Sequence, residues 1–331
     1  MPADEEMMNR ILVTGSDGLV GTALCSLLER GGDEVVRLDL KRRHERSLEG
    51  DALDLRSLAS SAAGCAGIIH LAAVSRVIWA QADPERCLRT NVLGTANVAE
   101  VAASLPTRPW VMLASSREVY GRARIVPVTE RHATAPVNVY GRSKLFAEHV
   151  VRALEQTGRR AAVVRLSSVY GSADDHPDRV VPAFCRAALD NAMLRLDGPE
   201  CTFDFTHVDD VAEGILRVAR LLSSGHALAE PVHLVSGTPT SLRELASLVT
   251  RCAGAQSAVV EQPPRSYDVL NFVGDPTRAR VLLGWKAATT LEQGIVRLLK
   301  DLRFRRSKRD VDEASGSNAP ALAALPGAGS A

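Results

Sequence analysis

Tyr140, Lys144 and Ser116 are the side chains whose types and spacing suit proton transfer in this chain of 331 residues. Tyr140-Gly141-Arg142-Ser143-Lys144 opens an amphipathic run continued by Leu145, Ala147, Val150, Val151 and Leu154. A spacing of four sets the phenol and the ammonium on one helical face, one turn apart. A phenol with an ordinary pKa of about 10 is no base near neutrality until its anion is stabilised. The Lys144 ammonium does that, and the positive nicotinamide ring of a bound dinucleotide adds to it. Ser116 ends the apolar run Trp110-Val111-Met112-Leu113-Ala114, where it can hold a substrate oxygen in the same cluster. Glu118, two residues on, offers a second acid–base group or an ion-pair partner for Arg117.

The dinucleotide is expected from the other end of the chain. Ile11, Leu12 and Val13 read as a buried parallel strand, and Thr14-Gly15-Ser16-Asp17-Gly18-Leu19-Val20-Gly21 leads into Ala23, Leu24, Leu27 and Leu28 at helical spacing. In this strand–turn–helix, Gly15 permits the tight turn, Gly18 a close approach of backbone N–H groups to pyrophosphate, and Gly21 close packing of helix on strand. A second strand, Glu34-Val35-Val36-Arg37-Leu38, ends at Asp39, where a carboxylate accepts from ribose hydroxyls and repels a 2′-phosphate. NAD is the expected cofactor, with NADP the alternative that Lys41, Arg42 and Arg43 leave open. Asp51 lies at a strand–helix junction within reach of an adenine amino group, and Asp54 reads as a helix cap.

These groups need elements to place them. Gly67-Ile68-Ile69-His70-Leu71-Ala72-Ala73 reads as a third buried strand whose small terminal residues let backbone pass under a cofactor, with His70 a satisfied core imidazole. A helix over 84–103 carries Asn91 and Thr95 inside its apolar stripe, where a buried amide needs partners from a neighbouring strand or the Tyr140 helix. Val232-His233-Leu234-Val235 reads as a late strand, Ser241 as a helix cap and Trp285 as packing. In an open parallel sheet, ligands lie at the carboxyl ends of the strands, which is where Ser116 falls.

Composition narrows the partners. Forty Lys and Arg against 39 Asp and Glu leave no field to attract nucleic acid or an anionic membrane, so a small-molecule substrate is expected. No apolar run reaches the length of a membrane span, residues 1–9 are acidic where a secretory signal is basic, and the six cysteines show no metal or redox spacing. A cytoplasmic protein with reduced core thiols and no metal site is expected. From Arg303 onward the composition turns basic and then rich in Ala, Gly, Pro and Ser, which reads as a disordered tail over 304–331.

Taken together, the chain resembles the extended short-chain dehydrogenase/reductases, specifically the NAD-dependent epimerase/dehydratase family that modifies nucleotide sugars. The likeness spans residues 10 to about 303. It rests on Gly15, Gly18 and Gly21; His70-Leu71-Ala72-Ala73; Asn91 with Gly94-Thr95; and Ser116 with Tyr140 and Lys144. It continues through Arg165-Leu166-Ser167-Ser168-Val169-Tyr170-Gly171, Phe205-Thr206-His207-Val208-Asp209-Asp210-Val211 and Leu283-Gly284-Trp285. The resemblance implies an α/β fold: a doubly wound parallel Rossmann sheet of six or seven strands with a smaller C-terminal substrate domain. The NAD domain is expected over 10–167, with the late strand near 232–235, and the substrate domain over 168–230 and 237–303.

The same likeness makes Tyr140 the base at a sugar hydroxyl, Lys144 its partner and ribose ligand, and Ser116 the orienting group. The expected cofactor ligands are Gly15, Asp17, Gly18, Leu19, Val20, Asp39, Asp51, Ala52, Leu71, Ala72, Ala73, Asn91, Tyr140 and Lys144. Those expected for the substrate are Ser75, Ser116, Arg117, Ser168, Val181, Arg195, Phe203 and Arg265. The implied activity is epimerisation of a nucleotide-diphosphate sugar through a 4-keto intermediate formed by hydride transfer to tightly bound NAD. Dehydration or decarboxylation assisted by Glu118 is the alternative, and a non-catalytic NAD(H)-binding protein is the reading from another class. Ser168 and Phe203 stand where many family members carry Asn and Arg that contact the diphosphate, which passes that task to Arg265 and Arg195. The resemblance further implies a homodimer through a two-helix face near 84–103 and 136–157.

Overall fold

The computed structural model describes residues 9–316. In chain order the strands are β1 (Arg10–Thr14), β2 (Glu34–Asp39), β3 (Leu48–Glu49), β4 (Gly67–His70), β5 (Trp110–Ser116), β6 (Ala161–Leu166), β7 (Ser168–Tyr170), β8 (Leu194–Asp197), β9 (Thr202–His207), β10 (Val232–Leu234), β11 (Pro239–Ser241) and β12 (Val259–Gln262). The helices are α1 (Leu19–Arg30), α2 (Leu55–Ala62), α3 (Val77–Ala82), α4 (Pro84–Leu88), α5 (Gly94–Ser104), α6 (Val139–Gln156), α7 (Val180–Leu189), α8 (Val208–Ser223), α9 (Leu242–Ala253), α10 (Thr277–Leu283) and α11 (Leu291–Gly316).

Seven strands form one sheet in the order β10-β6-β5-β4-β1-β2-β3, every neighbouring pair parallel. Apolar residues fill both faces of the central strands because helices cover both sides. On one face, Ile11, Val13 and Met112 share a core with Leu24 and Leu28 of α1 and with Val211, Ile215 and Val218 of α8. On the other, Leu12, Val36 and Ile68 meet Leu58 of α2 and Val98 and Val101 of α5. The connections run outward in opposite directions from β1 and β4. The loops after these two strands therefore part, and a crevice opens at their carboxyl ends.

A second core gathers Phe184 and Cys185 of α7, Leu194 and Leu196 of β8, Phe205 of β9, Leu245 and Val249 of α9, and Ile295, Leu298 and Leu302 of α11. Two small sheets, β11-β9-β7 and β12-β8, border it. Helix α8 falls in the range 168–230 expected for the substrate domain, yet its apolar face lies on the seven-stranded sheet.

Two sequence expectations are corrected. The helix over 84–103 is interrupted by a π-helical turn, Arg89–Leu93, between α4 and α5; this turn carries Asn91 inward. The basic stretch after Arg303 continues α11, which runs to Gly316; Arg305 pairs with Asp174 and Asp301 and Arg306 with Asp190. The rest of that expected tail, 317–331, lies outside the described residues. Asp54 does cap α2, accepting from Arg56 N and Ser57 N, and Ser241 forms a capping box with Glu244.

Candidate catalytic and dinucleotide-binding cleft

A cleft of about 1170 Å³ runs along the carboxyl ends of β2, β1, β4 and β5 and is walled on its far side by residues of β7, β9 and α7. Its base is the glycine turn. Gly15 has φ +73°, and a Cβ there would lie 2.6 Å from Ala72 N; one on Gly21 would lie 2.2 Å from Gly15 O. Only glycine fits either place. Helix α1 begins at Gly18 with no side-chain cap, so its first N–H groups face the cleft without a protein acceptor from the cap residue. Such an end suits a pyrophosphate.

Gly15, Gly18, Leu19, Val20, Asp39, Asp51, Ala52, Leu71, Ala72 and Ala73 all line this half of the cleft. Asp39 accepts from Asp17 N at 2.9 Å, which fixes its carboxylate at the end of β2. Asp17 lines the cleft too, but its carboxylate is turned away, holding Arg43 N, His44 N and Ser47 Oγ. Asn91 does not line the cleft. It is buried, with Oδ1 accepting from Val74 N at 2.8 Å and Nδ2 donating to Val74 O and Ser143 Oγ at 3.1 and 2.8 Å. Its amide joins the loop after β4 to α6.

Helix α6 meets β5 in three successive turns. Asn138 caps the helix by accepting from Gly141 N at 2.8 Å. Tyr140 then lies beside Ser116 in the cleft. One turn on, Lys144 Nζ donates to Ala114 O at 2.9 Å; one more, Glu148 accepts from Ser115 Oγ at 2.5 Å. Arg165 grips the same carboxylate, Nε to Oε1 at 2.9 Å and Nη2 to Oε2 at 2.6 Å. Burial pushes the Tyr140 phenol up to about 12, with the Ser116 hydroxyl pulling it back. Burial pushes the Lys144 ammonium down to about 8, opposed by Cys87 and Glu148. His70 is a core imidazole as expected, held between Thr14 Oγ1 at 2.7 Å and Thr95 Oγ1 at 3.1 Å.

Glu118 is buried at the cleft with both oxygens engaged, Oε1 3.1 Å from Arg117 Nη2 and Oε2 accepting from Asn138 Nδ2 at 2.8 Å. In the remaining half, Ser75, Ser168, Val181, Arg195, Phe203 and Arg265 line the wall. Arg195 and Arg265 donate through Nε to Asp197 and Asp268, each at 2.8 Å.

Sequence reasoning missed the groups across the mouth: Arg76 pairs with Asp178, Arg179 Nη2 donates to Ser75 Oγ at 3.3 Å, and the Trp79 and His176 rings meet edge to face with centroids 4.5 Å apart. Their partners lie about a hundred residues apart, so no local spacing signals them. Asn138 was missed for a different reason; its cap position is legible, but its second bond, to Glu118, is not.

A sequence model of the NAD dependent epimerase/dehydratase family matches residues 11–229. A UDP-glucose 4-epimerase of Mycolicibacterium smegmatis is 29% identical over 320 residues, covering 90% of this chain and 99% of the relative. Among solved structures, MoeE5 in complex with UDP-glucose and NAD superposes with a TM-score of 0.82 at 28% identity, covering 90% of this chain and 99% of that one. The dTDP-glucose 4,6-dehydratase DesIV of Streptomyces venezuelae, with NAD and TYD bound, has the same score and identity and covers 90% and 98%.

Proposed function

The chain belongs to the NAD-dependent epimerase/dehydratase family, and on that premise we propose that it is a nucleotide-sugar epimerase whose substrate passes through a 4-keto sugar. The observation that carries this reading is the three-rung contact of α6 with β5, which fixes Tyr140, Lys144 and Ser116 around one point of the cleft. The glycine turn, the uncapped start of α1 and Asp39 fit NAD, which supplies when bound a hydride acceptor and a positively charged ring.

Ser116 orients the sugar 4-hydroxyl and Tyr140 Oη takes its proton. Lys144, whose Nζ donates to Ala114 O, is assigned to stabilise the phenolate. Protonated Tyr140 returns the proton when the ketone is reduced on its other face. Arg265 and Arg195 take the diphosphate, and Ser75, Ser168, Val181 and Phe203 shape the sugar and nucleoside wall. The sugar is assigned to the walls from 168–230 and 237–303, the dinucleotide to 10–167.

A second observation orders the products. Elimination needs a free acid–base group next to the sugar, and both oxygens of Glu118 are held by Arg117 and Asn138. That supports epimerisation ahead of dehydration. Five of the six cysteines are buried, and no helix among the described residues is long and apolar enough to cross a membrane, which supports a reducing, cytoplasmic setting.

Incubation with a panel of UDP-, GDP-, CDP- and dTDP-sugars tests the assignment. The expected product has unchanged mass and inverted configuration at C4 by NMR; loss of water or carbon dioxide moves the enzyme to the dehydratases or decarboxylases. Tyr140→Phe is expected to keep NAD while turnover falls at least about a thousandfold. Near-normal turnover removes the assigned base.

A further inference from the structure

Arg117 follows Ser116 directly and lines the same cleft, yet its side chain is only 11% exposed. The guanidinium carbon lies 5.0 Å from the centroid of the Phe203 ring and 5.6 Å from that of Phe272. Nη2 is 3.1 Å from Glu118 Oε1, while Nη1 is buried without an acceptor. Glu118 is itself fixed from the other side by Asn138. The fork is thus held by a carboxylate at one end and two rings on its flanks, with one nitrogen unfilled.

Such an arrangement is costly for the fold alone. A buried N–H without an acceptor forfeits its hydration, and a methionine or leucine would pack against the two rings without that cost. Arg195 and Arg265, on the same wall, are 70% and 45% exposed and donate through Nε to their own aspartates. Arg117 differs in being sequestered, rigid and short of one acceptor. A guanidinium shielded by aromatic rings binds an anion more strongly than an exposed one, because water competes less and no side-chain freedom is lost on binding.

We propose that Arg117 is a further anion ligand of the substrate, its guanidinium taking an anionic oxygen of the nucleotide sugar beside Ser116. Two groups of such a molecule offer that chemistry: the phosphate next to the sugar and a carboxylate on the sugar ring. The inference rests on the nucleotide-sugar reading of the cleft.

Calorimetric titration of the NAD-loaded protein with UDP-glucose, UDP-glucuronic acid and UMP tests it. Arg117→Met keeps a stem between the rings and removes the charge. Its expected effect is about tenfold weaker binding of UDP-glucuronic acid, the loss of one charge-assisted hydrogen bond, with UMP unchanged. An equal loss with UDP-glucose assigns the phosphate, and a loss confined to the acid assigns the carboxylate. Arg117→Lys, which keeps charge and stem but not the fork, is expected to lose about threefold to fivefold. A folded protein of either variant that binds both sugars as the wild type does, or that loses UMP equally, overturns the inference. Wild-type protein that binds neither sugar overturns the inference, and turnover of a GDP-, CDP- or dTDP-sugar from the panel then shows that the nucleotide-sugar reading stands without it.

Discussion

Glu148 accepts a 2.5 Å hydrogen bond from the hydroxyl of Ser115, the residue before Ser116. Because Glu148 also lies one turn beyond Lys144, a single carboxylate sets the register of the catalytic helix on the catalytic strand and places a negative charge near the ammonium.

That charge has a kinetic consequence. In the proposed mechanism the ammonium is the working form of Lys144, and burial brings its pKa down to about 8, so kcat/KM is expected to fall as pH rises through about 8. Glu148 opposes the shift, so Glu148→Gln moves this alkaline limb to lower pH. The same change leaves Arg165 buried without its counter-ion and is expected to cost about 3 kcal/mol of stability. A pH–rate profile and a denaturant titration measure the two effects; an unmoved limb counts against the coupling.

Asp39 is fixed by Asp17 N with its carboxylate at the cleft. Asp39→Ala is expected to weaken NAD by about tenfold and to reduce discrimination against NADP, since the repulsion of a 2′-phosphate goes with the carboxylate and Lys41 and Arg43 remain at the cleft. Fluorescence titration with both dinucleotides checks this, and unchanged affinities for both refute the ribose assignment.

Acid sensitivity follows from two buried imidazoles. Burial holds His70 and His233 down to about 3, with Lys144 and Arg165 respectively adding to the effect. Between that value and the ordinary pKa near 6.5, the unfolded chain binds protons that the folded chain refuses, so stability falls as pH falls through this window. The two together are expected to remove about 2 kcal/mol between pH 6 and pH 5. Thermal or urea unfolding at the two pH values measures it, and His233→Gln is expected to halve the slope. A flat profile would sink the claim.

Leu88, Leu93 and Phe146 are exposed on α4, the π turn and α6, elements packed side by side. A homodimer through this face is expected to sediment at twice the chain mass, with Phe146→Asp shifting it to monomer. A monomeric wild type at micromolar concentration excludes the arrangement.

Local chemistry was legible from the chain alone. The glycine turn, the strand ending at Asp39, the Asp54 and Ser241 caps, the buried state of His70 and the four-residue step from Tyr140 to Lys144 all depend on neighbours within a turn or two, and the structure agrees with each. Where competing partners lie far along the chain, the reading diverged. The Asp17 carboxylate is held by the loop at 43–47, and the Asn91 amide by Ser143 52 residues later, partners that no local spacing announces. The tail beyond Arg303 lacks an apolar stripe, and the aspartates that pair with its Arg305 and Arg306 lie on distant segments.

Sequence by itself determined the central strands β1, β2, β4 and β5, the dinucleotide turn and the helical step from Tyr140 to Lys144, since each is written in backbone propensity and in periods of two or about four residues. Tertiary structure alone decided which distant groups are spent on one another: Glu118 on Asn138, Glu148 on Ser115 and Arg165, Asp178 on Arg76. A charge takes whichever opposite charge or donor the fold brings within a few ångströms, and separation along the chain carries no record of that distance.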